Sequence, residues 1–259
     1  MRIKRLFESG YLIEEEAAKE IESLSEDEFK EFSEHLKKEK PDLITKEMVL
    51  KYKKISVFDL SRKILNYFDF FKKILQERIP AVSISSCKEG KAYIIGMVMK
   101  KNKYLEVEDP TGCIKVFLKN REVKIIEDDV LGFYGSVNSG FLFAEKVFFP
   151  DIPIKDVKLS EKPEILKIGE KDINYKFLDK NGIKILIFRN ETEFTPVELL
   201  KRRVLEPGNV FTDKFLEEVP DIMISTGKEE VVNYKGTTVV TFERGSVEIE
   251  LHTRRVRFI

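Results

Sequence analysis

At 259 residues the chain is long enough to bury a sizeable core in two or three units, on the rough prior of ~100 to 200 residues per domain. Its 46 basic and 46 acidic side chains cancel, so no global field draws it to nucleic acid or an anionic membrane, and any such attraction must be local. With only His35 and His252, histidine-rich metal centres and most His-based triads are excluded, and Cys87 and Cys113 are spaced for neither a zinc knuckle nor a disulfide framework.

Residues 1–80 read as helical. In "SEDEFKEFSEHLKK", Ser25 and Glu28 make a capping box, and Phe29, Phe32 and Leu36 share one helical face that must be buried. A second box, Ser56 with Asp59, opens a longer helix in which Leu60, Ile64, Tyr67, Phe68, Phe71 and Leu75 keep the helical period until Pro80. This aromatic stripe is expected to pack against neighbouring elements, with docking of a partner as the other reading. No run of 18 apolar residues occurs and "MRIKRLFESG" lacks an apolar h-region, so a cytoplasmic protein with no membrane partner is expected.

From Ala81 the period changes to two. "AYIIGMVMKK" reads as a strand, with Gly96 placed where a strongly coiled strand could bend. "YLEVEDPTGCIKVFLK" is a hairpin turning at Asp109, Pro110 and Gly112, and "DDVLGFYGSV" and "FLFAEKVFF" supply two more strands joined at "NSG". Five short strands within 81–150 predict a Greek-key barrel of the OB type, whose faces and loops often hold oligonucleotides. After "PDIP", residues 151–259 hold the strand "IKILIF", the basic helical patch "PVELLKRR", the strand of "VPDIMISTG", and a terminal hairpin of "TTVVTFE" with "SVEIEL" around Arg244 and Gly245. These predict a small α/β layer, giving an α+β chain overall.

The chemical motifs mostly exclude. "STGKEE" lacks the first glycine and the hydroxyl after lysine that a Walker loop needs, and no Ser or Cys nucleophile has a plausible base. A two-metal centre needs clustered ligands, whereas 151–259 offers only His252 among histidines, so no cofactor or metal is expected. Nucleic-acid binding fits better: bases stack on aromatic rings while lysines track phosphates. The candidate residues are Tyr93, Lys100, Lys101, Tyr104, Lys115, Phe117 and Lys119, set against the alternative that the rings pack the barrel interior. "LLKRR" and "TRRVR" read as solvated basic faces.

In combination, "AYIIGMV", "LEVEDPTG", "DDVLGFYGSV", "LFAEKVFFPDIP", "PVELLKRR" and "VPDIMISTG" resemble the small subunit of the archaeal family D DNA polymerase, related to the B-subunits of eukaryotic replicative polymerases. The resemblance runs from Ala81 onward. It implies an OB barrel set against a calcineurin-like phosphoesterase domain, which in archaea looks like a 3′–5′ exonuclease. Where the family's active pattern carries a Thr-Gly-His-x-His metal loop, this chain has Thr226, Gly227, Lys228, Glu229 and Glu230. Lys228 and Glu230 therefore stand at degenerate metal positions. The family's Asp-x-His and Asn-His motifs have no match, and Arg189 and Asn190 stand where first-strand ligands would be expected. The resemblance thus implies a reduced, catalytically inactive phosphoesterase remnant over 151–259. The matching role is a noncatalytic accessory or scaffold subunit whose partner is a DNA polymerase or other replication subunit. The alternative is a stand-alone OB protein that binds single-stranded nucleic acid.

Overall fold

The computed structural model describes residues 2–53, 57–119 and 122–259, with backbone alone at 57–59. It holds two units, Met1–Arg62 and Lys63–Ile259. The sequence reading placed residues 63–80 with the N-terminal helices, and they lie in the second unit instead. Six helices and fifteen strands occur among the described residues, a mixed α/β content.

The first unit runs α1 (Arg2–Glu8), β1 (Leu12–Ile13), α2 (Glu15–Ser23), α3 (Glu26–Glu39), β2 (Leu43–Ile44) and α4 (Lys46–Leu50). The expected capping box starts α3: the Glu28 backbone N–H donates to Ser25 Oγ at 3.3 Å, and the Ser25 N–H donates to the Glu28 carboxylate at 2.6 Å. The predicted face of Phe29, Phe32 and Leu36 is buried with Leu6, Ile21, Leu24, Ile44 and Val49. The parallel β1–β2 pair, two residues a side, has no counterpart in the sequence reading, because two residues carry no periodicity.

α5 (Val57–Gln76) spans the division between the units. The predicted Ser56–Asp59 box lies outside the described residues. Within the second unit, Tyr67, Phe68, Phe71 and Leu75 pack with Ile95, Met97, Val130 and Val204, so these members of the aromatic stripe are core. No helix among the described residues is long and apolar enough to cross a membrane.

β3 (Gly90–Lys101), β4 (Leu105–Asp109), β5 (Gly112–Leu118), β6 (Val130–Asn138) and β7 (Phe141–Phe148) close a barrel in the order β3-β4-β5-β7-β6. Only β5 and β7 pair in parallel, which is the Greek-key crossing of an OB-like barrel. The inward row includes Ile94, Val98, Leu105, Val107, Ile114, Val116, Leu131, Phe133 and Leu142. Two glycines allow close strand approach. A Cβ on Gly96 would sit 2.4 Å from Val107 Cγ1, and one on Gly135, at a β-bulge, would sit 2.0 Å from the Phe143 carbonyl oxygen. The predicted turn at Asp109 is held by its own carboxylate, which accepts from the Thr111 N–H at 2.7 Å and the Gly112 N–H at 3.0 Å.

The remaining elements are β8 (Ile165–Gly169), β9 (Lys176–Lys180), β10 (Ile183–Phe188), α6 (Pro196–Arg202), β11 (Ile222–Thr226), β12 (Glu230–Tyr234), β13 (Thr237–Phe242), β14 (Ser246–Glu250) and β15 (Val256–Phe258). They form a five-stranded sheet, β12-β13-β11-β10-β9, and a three-stranded sheet, β15-β14-β8. One face of the larger sheet packs on α6 through Leu186, Met223, Leu199 and Leu200. Its other face packs on the smaller sheet through Ile185, Ile224, Val247 and Ile249. The expected terminal hairpin is corrected here: β13 pairs with β11 and β12, whereas β14 pairs with β8 and β15. The chain changes sheets at Glu243–Gly245, so that β13 and β14 bury side chains on the shared interior from opposite sides of it.

Arg202 joins this region to the barrel. Its Nε lies 3.0 Å from Asp129 Oδ1, both side chains are buried, and its guanidinium lies over the Phe149 and Phe194 rings at 5.1 and 4.4 Å. Burial outweighs the opposing pull of Arg202 and the Ile126 N–H and holds the Asp129 carboxyl above its ordinary pKa. Arg203 is also buried and donates to the Leu216 and Glu217 carbonyls. The reading of "LLKRR" as a solvated face is thus corrected for these two arginines. Their charge is compensated by buried acceptors that are distant in sequence.

Candidate nucleic-acid interface

Alternation along each barrel strand fixes which side chains face out, and residues opposed across strands share a face. One cross-strand row is Lys100, Glu106, Lys115 and Phe141, from β3, β4, β5 and β7. The next places Phe117 opposite Phe143, with Tyr104 at the head of β4 beside them. Ring centroids lie 5.6 Å apart for Tyr104–Phe117, 5.7 Å for Phe117–Phe141 and 5.5 Å for Phe117–Phe143, the last pair inclined by only 15°. The Lys115 ammonium stands 4.9 Å from the Tyr104 ring centroid. Phe143 is 49% exposed, and Tyr104, Phe117 and Phe141 are half-buried. A groove of ≈ 520 Å³ opens at the Tyr104 end, lined by Asn102, Lys103, Tyr104, Phe117 and Val123 among others.

Of the residues predicted for this site, Lys100, Tyr104, Lys115 and Phe117 come together. Lys119 follows β5 on the same face, exposed, with its backbone N–H on the Ala144 carbonyl. Two others are placed apart. Tyr93 lies 4.4 Å from Tyr134 and 6.1 Å from Phe148, half-buried beside the cluster that packs on α5. Lys101 pairs in register with Leu105 on the alternate row, and its ammonium donates to the Ile125 carbonyl at 2.6 Å. Phe141 and Phe143 complete the strip. They alternate with the buried Leu142, and the parallel β5–β7 pairing sets them beside Phe117. Two acidic groups on this face have lysine neighbours, Glu106 opposing Lys115 and Glu145 bonded to Lys91, whose hydrogen bond holds that carboxyl below its ordinary pKa, while the exposed Glu108 opposes Cys113. Burial, and then Glu108, push the Cys113 thiol up, which disfavours a reactive thiolate there.

The second place to look is the edge where the parallel strands β10, β11 and β13 end, since open α/β sheets bind ligands there. Asn190 follows β10. Its N–H donates to Thr226 Oγ1 at 2.9 Å, its Nδ2 donates to the Phe194 carbonyl at 2.8 Å, and its Oδ1 accepts from the Thr192 hydroxyl at 2.8 Å. The Thr241 hydroxyl donates to the Lys228 carbonyl, while the Lys228, Glu229 and Glu230 side chains are exposed. Arg189 is exposed beside a groove of ≈ 300 Å³ that also includes Glu206 and Lys214. Lys214 hydrogen-bonds Glu206 at 2.5 Å and holds its carboxyl below the ordinary range. Among the described residues no group of three or more His, Cys, Asp or Glu side chains is placed to hold a metal ion.

No known family model matches the chain. It is 30% identical over 93 residues to the DNA polymerase II small subunit of Archaeoglobus fulgidus, a match covering 32% of this chain and 19% of that protein. The likeness is therefore partial, and the chain spans about a fifth of that relative's length. Among solved structures, the telomere capping protein Ten1 from Saccharomyces pombe is similar at 23% identity and a TM-score of 0.22, covering 25% of this chain and 70% of that one.

Proposed function

We propose that the chain is a noncatalytic accessory subunit that serves a DNA polymerase or another replication subunit as a scaffold. The observation that carries this reading is the edge where β10, β11 and β13 end. Asn190, Thr192, Thr226 and Thr241 spend their hydrogen-bonding groups on one another and on nearby backbone there, and Lys228 adds a positive charge. A two-metal phosphoesterase would need convergent anionic and imidazole ligands around metals ~3.5 to 4 Å apart at such an edge. The partial likeness to a polymerase small subunit supports the DNA-related part of the reading. On this proposal, 81–150 is an OB module and 151–259 a reduced phosphoesterase-like domain in which Lys228 and Glu230 occupy former ligand positions.

Affinity purification of the full chain from its source cells tests the assignment: a polymerase or primase subunit is expected to co-elute stoichiometrically, and recovery of the chain alone overturns it. Manganese-dependent digestion of a DNA 3′ end, lost on chelation, would overturn the noncatalytic part. A second reading, a stand-alone barrel protein for single-stranded nucleic acid, is favoured by the aromatic strip.

A further inference from the structure

We propose that the outer face of β4, β5 and β7 is a binding site for single-stranded nucleic acid. Tyr104, Phe117 and Phe143 would stack two or three bases, and Lys100, Lys103, Lys115 and Lys119 would carry the backbone. The proposal deepens the DNA-related reading above and rests on it.

Three observations select this face. The barrel has a second outer face, on β3 and β6, but there Ile95, Met97 and Val130 are buried with the rings of α5. On the β4–β5–β7 face aromatic rings remain open to solvent, with Phe143 49% exposed, and isolated rings in contact 5.5–5.7 Å apart form a continuous apolar strip rather than scattered surface residues. The strip is also bracketed by the β3–β4 connection at Asn102 and Lys103 and the β6–β7 turn at Ser139 and Gly140. Strands two and three of an OB-like barrel, with these two loops, form the surface on which such barrels hold oligonucleotides.

The ligand class follows from the chemistry. A protein partner of matching apolar character would be indifferent to flanking lysines. Here Lys100 and Lys115 share the row beside the rings, Lys119 extends it, and Lys103 rims the groove at the Tyr104 end. Glu106 and Glu145 on the same face have Lys115 and Lys91 as neighbours, and the exposed Glu108, opposite Cys113, stands one row further along β4 from Phe117, which leaves the rows nearest Tyr104 and Phe117 cationic. Exposed ring faces can stack only on bases that are free of a duplex, because paired bases are already stacked on one another. Among the described residues the rings of the strip are flanked mainly by lysines, which track phosphates rather than read base edges, so binding should tolerate any sequence.

The test is fluorescence anisotropy of a labelled twelve-nucleotide thymidine strand titrated with the full chain, beside a duplex of equal length. The single strand should bind more tightly than the duplex. Its log affinity should fall with log salt at a slope near −3, on ~0.7 per neutralised phosphate for four lysines. Phe117→Ala should weaken binding roughly 5- to 100-fold, as loss of base–aromatic stacking does. Phe117→Leu keeps apolar bulk in case the alanine variant folds poorly, and it should weaken binding too. Lys115→Gln should reduce the salt slope by about 0.7. Tyr175→Ala, a 52% exposed ring in the other part of this unit, should change nothing. Unchanged affinity in both Phe117 variants overturns the site, as does duplex binding of equal strength. Co-elution of a protein partner that is lost on Phe117→Leu, with no affinity for the single strand, would assign the strip to protein and also overturn it. Single-strand binding that needs Phe117, in a chain that purifies alone, would uphold this site while removing the accessory-subunit assignment.

Discussion

The barrel and the two-sheet region that follows it dispose of their surplus chemistry in opposite ways. The barrel satisfies its backbone by closure, buries one outer face under α5, and leaves Tyr104, Phe117, Phe141 and Phe143 in a strip partly open to water. The two-sheet region instead buries apolar residues on both faces of its central sheet and turns its loop polar groups on one another, as Asn190 and Thr226 do. Uncovered apolar surface has a standing free-energy cost, which a ligand can relieve. Hydrogen bonds already made inside a loop offer a ligand little, because binding would have to break them.

Breaking the junction between the two should have the largest effect. Arg202→Ala leaves Asp129 buried without its cation and should cost about 3–5 kcal/mol, the range for removing one partner of a buried pair, seen as a lower midpoint in urea. Retention of wild-type stability would mean that the pair is solvated in solution. Next, Gly135→Ala drives a Cβ into the Phe143 carbonyl, a backbone atom that cannot swing away. It should cost about 1–3 kcal/mol and distort the strip at Phe143, lowering single-strand affinity as well.

A smaller effect belongs to Asp109→Ala, about 1–2 kcal/mol, because the Thr111 and Ile84 N–H donors lose their acceptor. Burial works against the charge of Asp109, but these hydrogen bonds outweigh it and hold the carboxyl below its ordinary pKa. A depressed folded-state pKa gives stability that is present above the unfolded value of ~3.9 and lost as pH falls through the folded value. The difference between wild type and the variant should therefore be constant near neutrality and shrink in acid, which urea titrations across pH would show. Least of all, Lys228→Ala with Glu230→Ala should change stability by less than about 0.5 kcal/mol, as exposed side chains do, and leave strand binding untouched. A large effect there would contradict the contrast between the two regions.

Much of the local structure was legible because its causes are local. The Ser25–Glu28 box, the Asp109 turn, and the change from a 3.6-residue to a two-residue period at Ala81 each depend on side chains a few positions apart. The candidate site was half legible. Alternation separates inward from outward residues in a barrel strand, and the structure sets Lys115 and Phe117 on the outer face beside Tyr104. Alternation cannot say which outward face a helix will cover, and Tyr93, equally aromatic and equally alternating, lies beside the α5 cluster. Nor could it foresee that Arg202 would find Asp129, 73 residues earlier in the chain.

The sequence by itself determined the helical and two-residue periods of the longer elements, the Ser25 helix start, the Asp109 turn and the scarcity of histidine and cysteine, all properties of neighbouring residues or of composition. The tertiary structure alone decided that β13 and β14 belong to different sheets, that two arginines of a basic run are buried, and that Phe143 stands beside Phe117. Those outcomes depend on which distant strand or helix supplies the pairing edge or covering face. That choice is made by the burial of the whole interior rather than by any segment's own pattern.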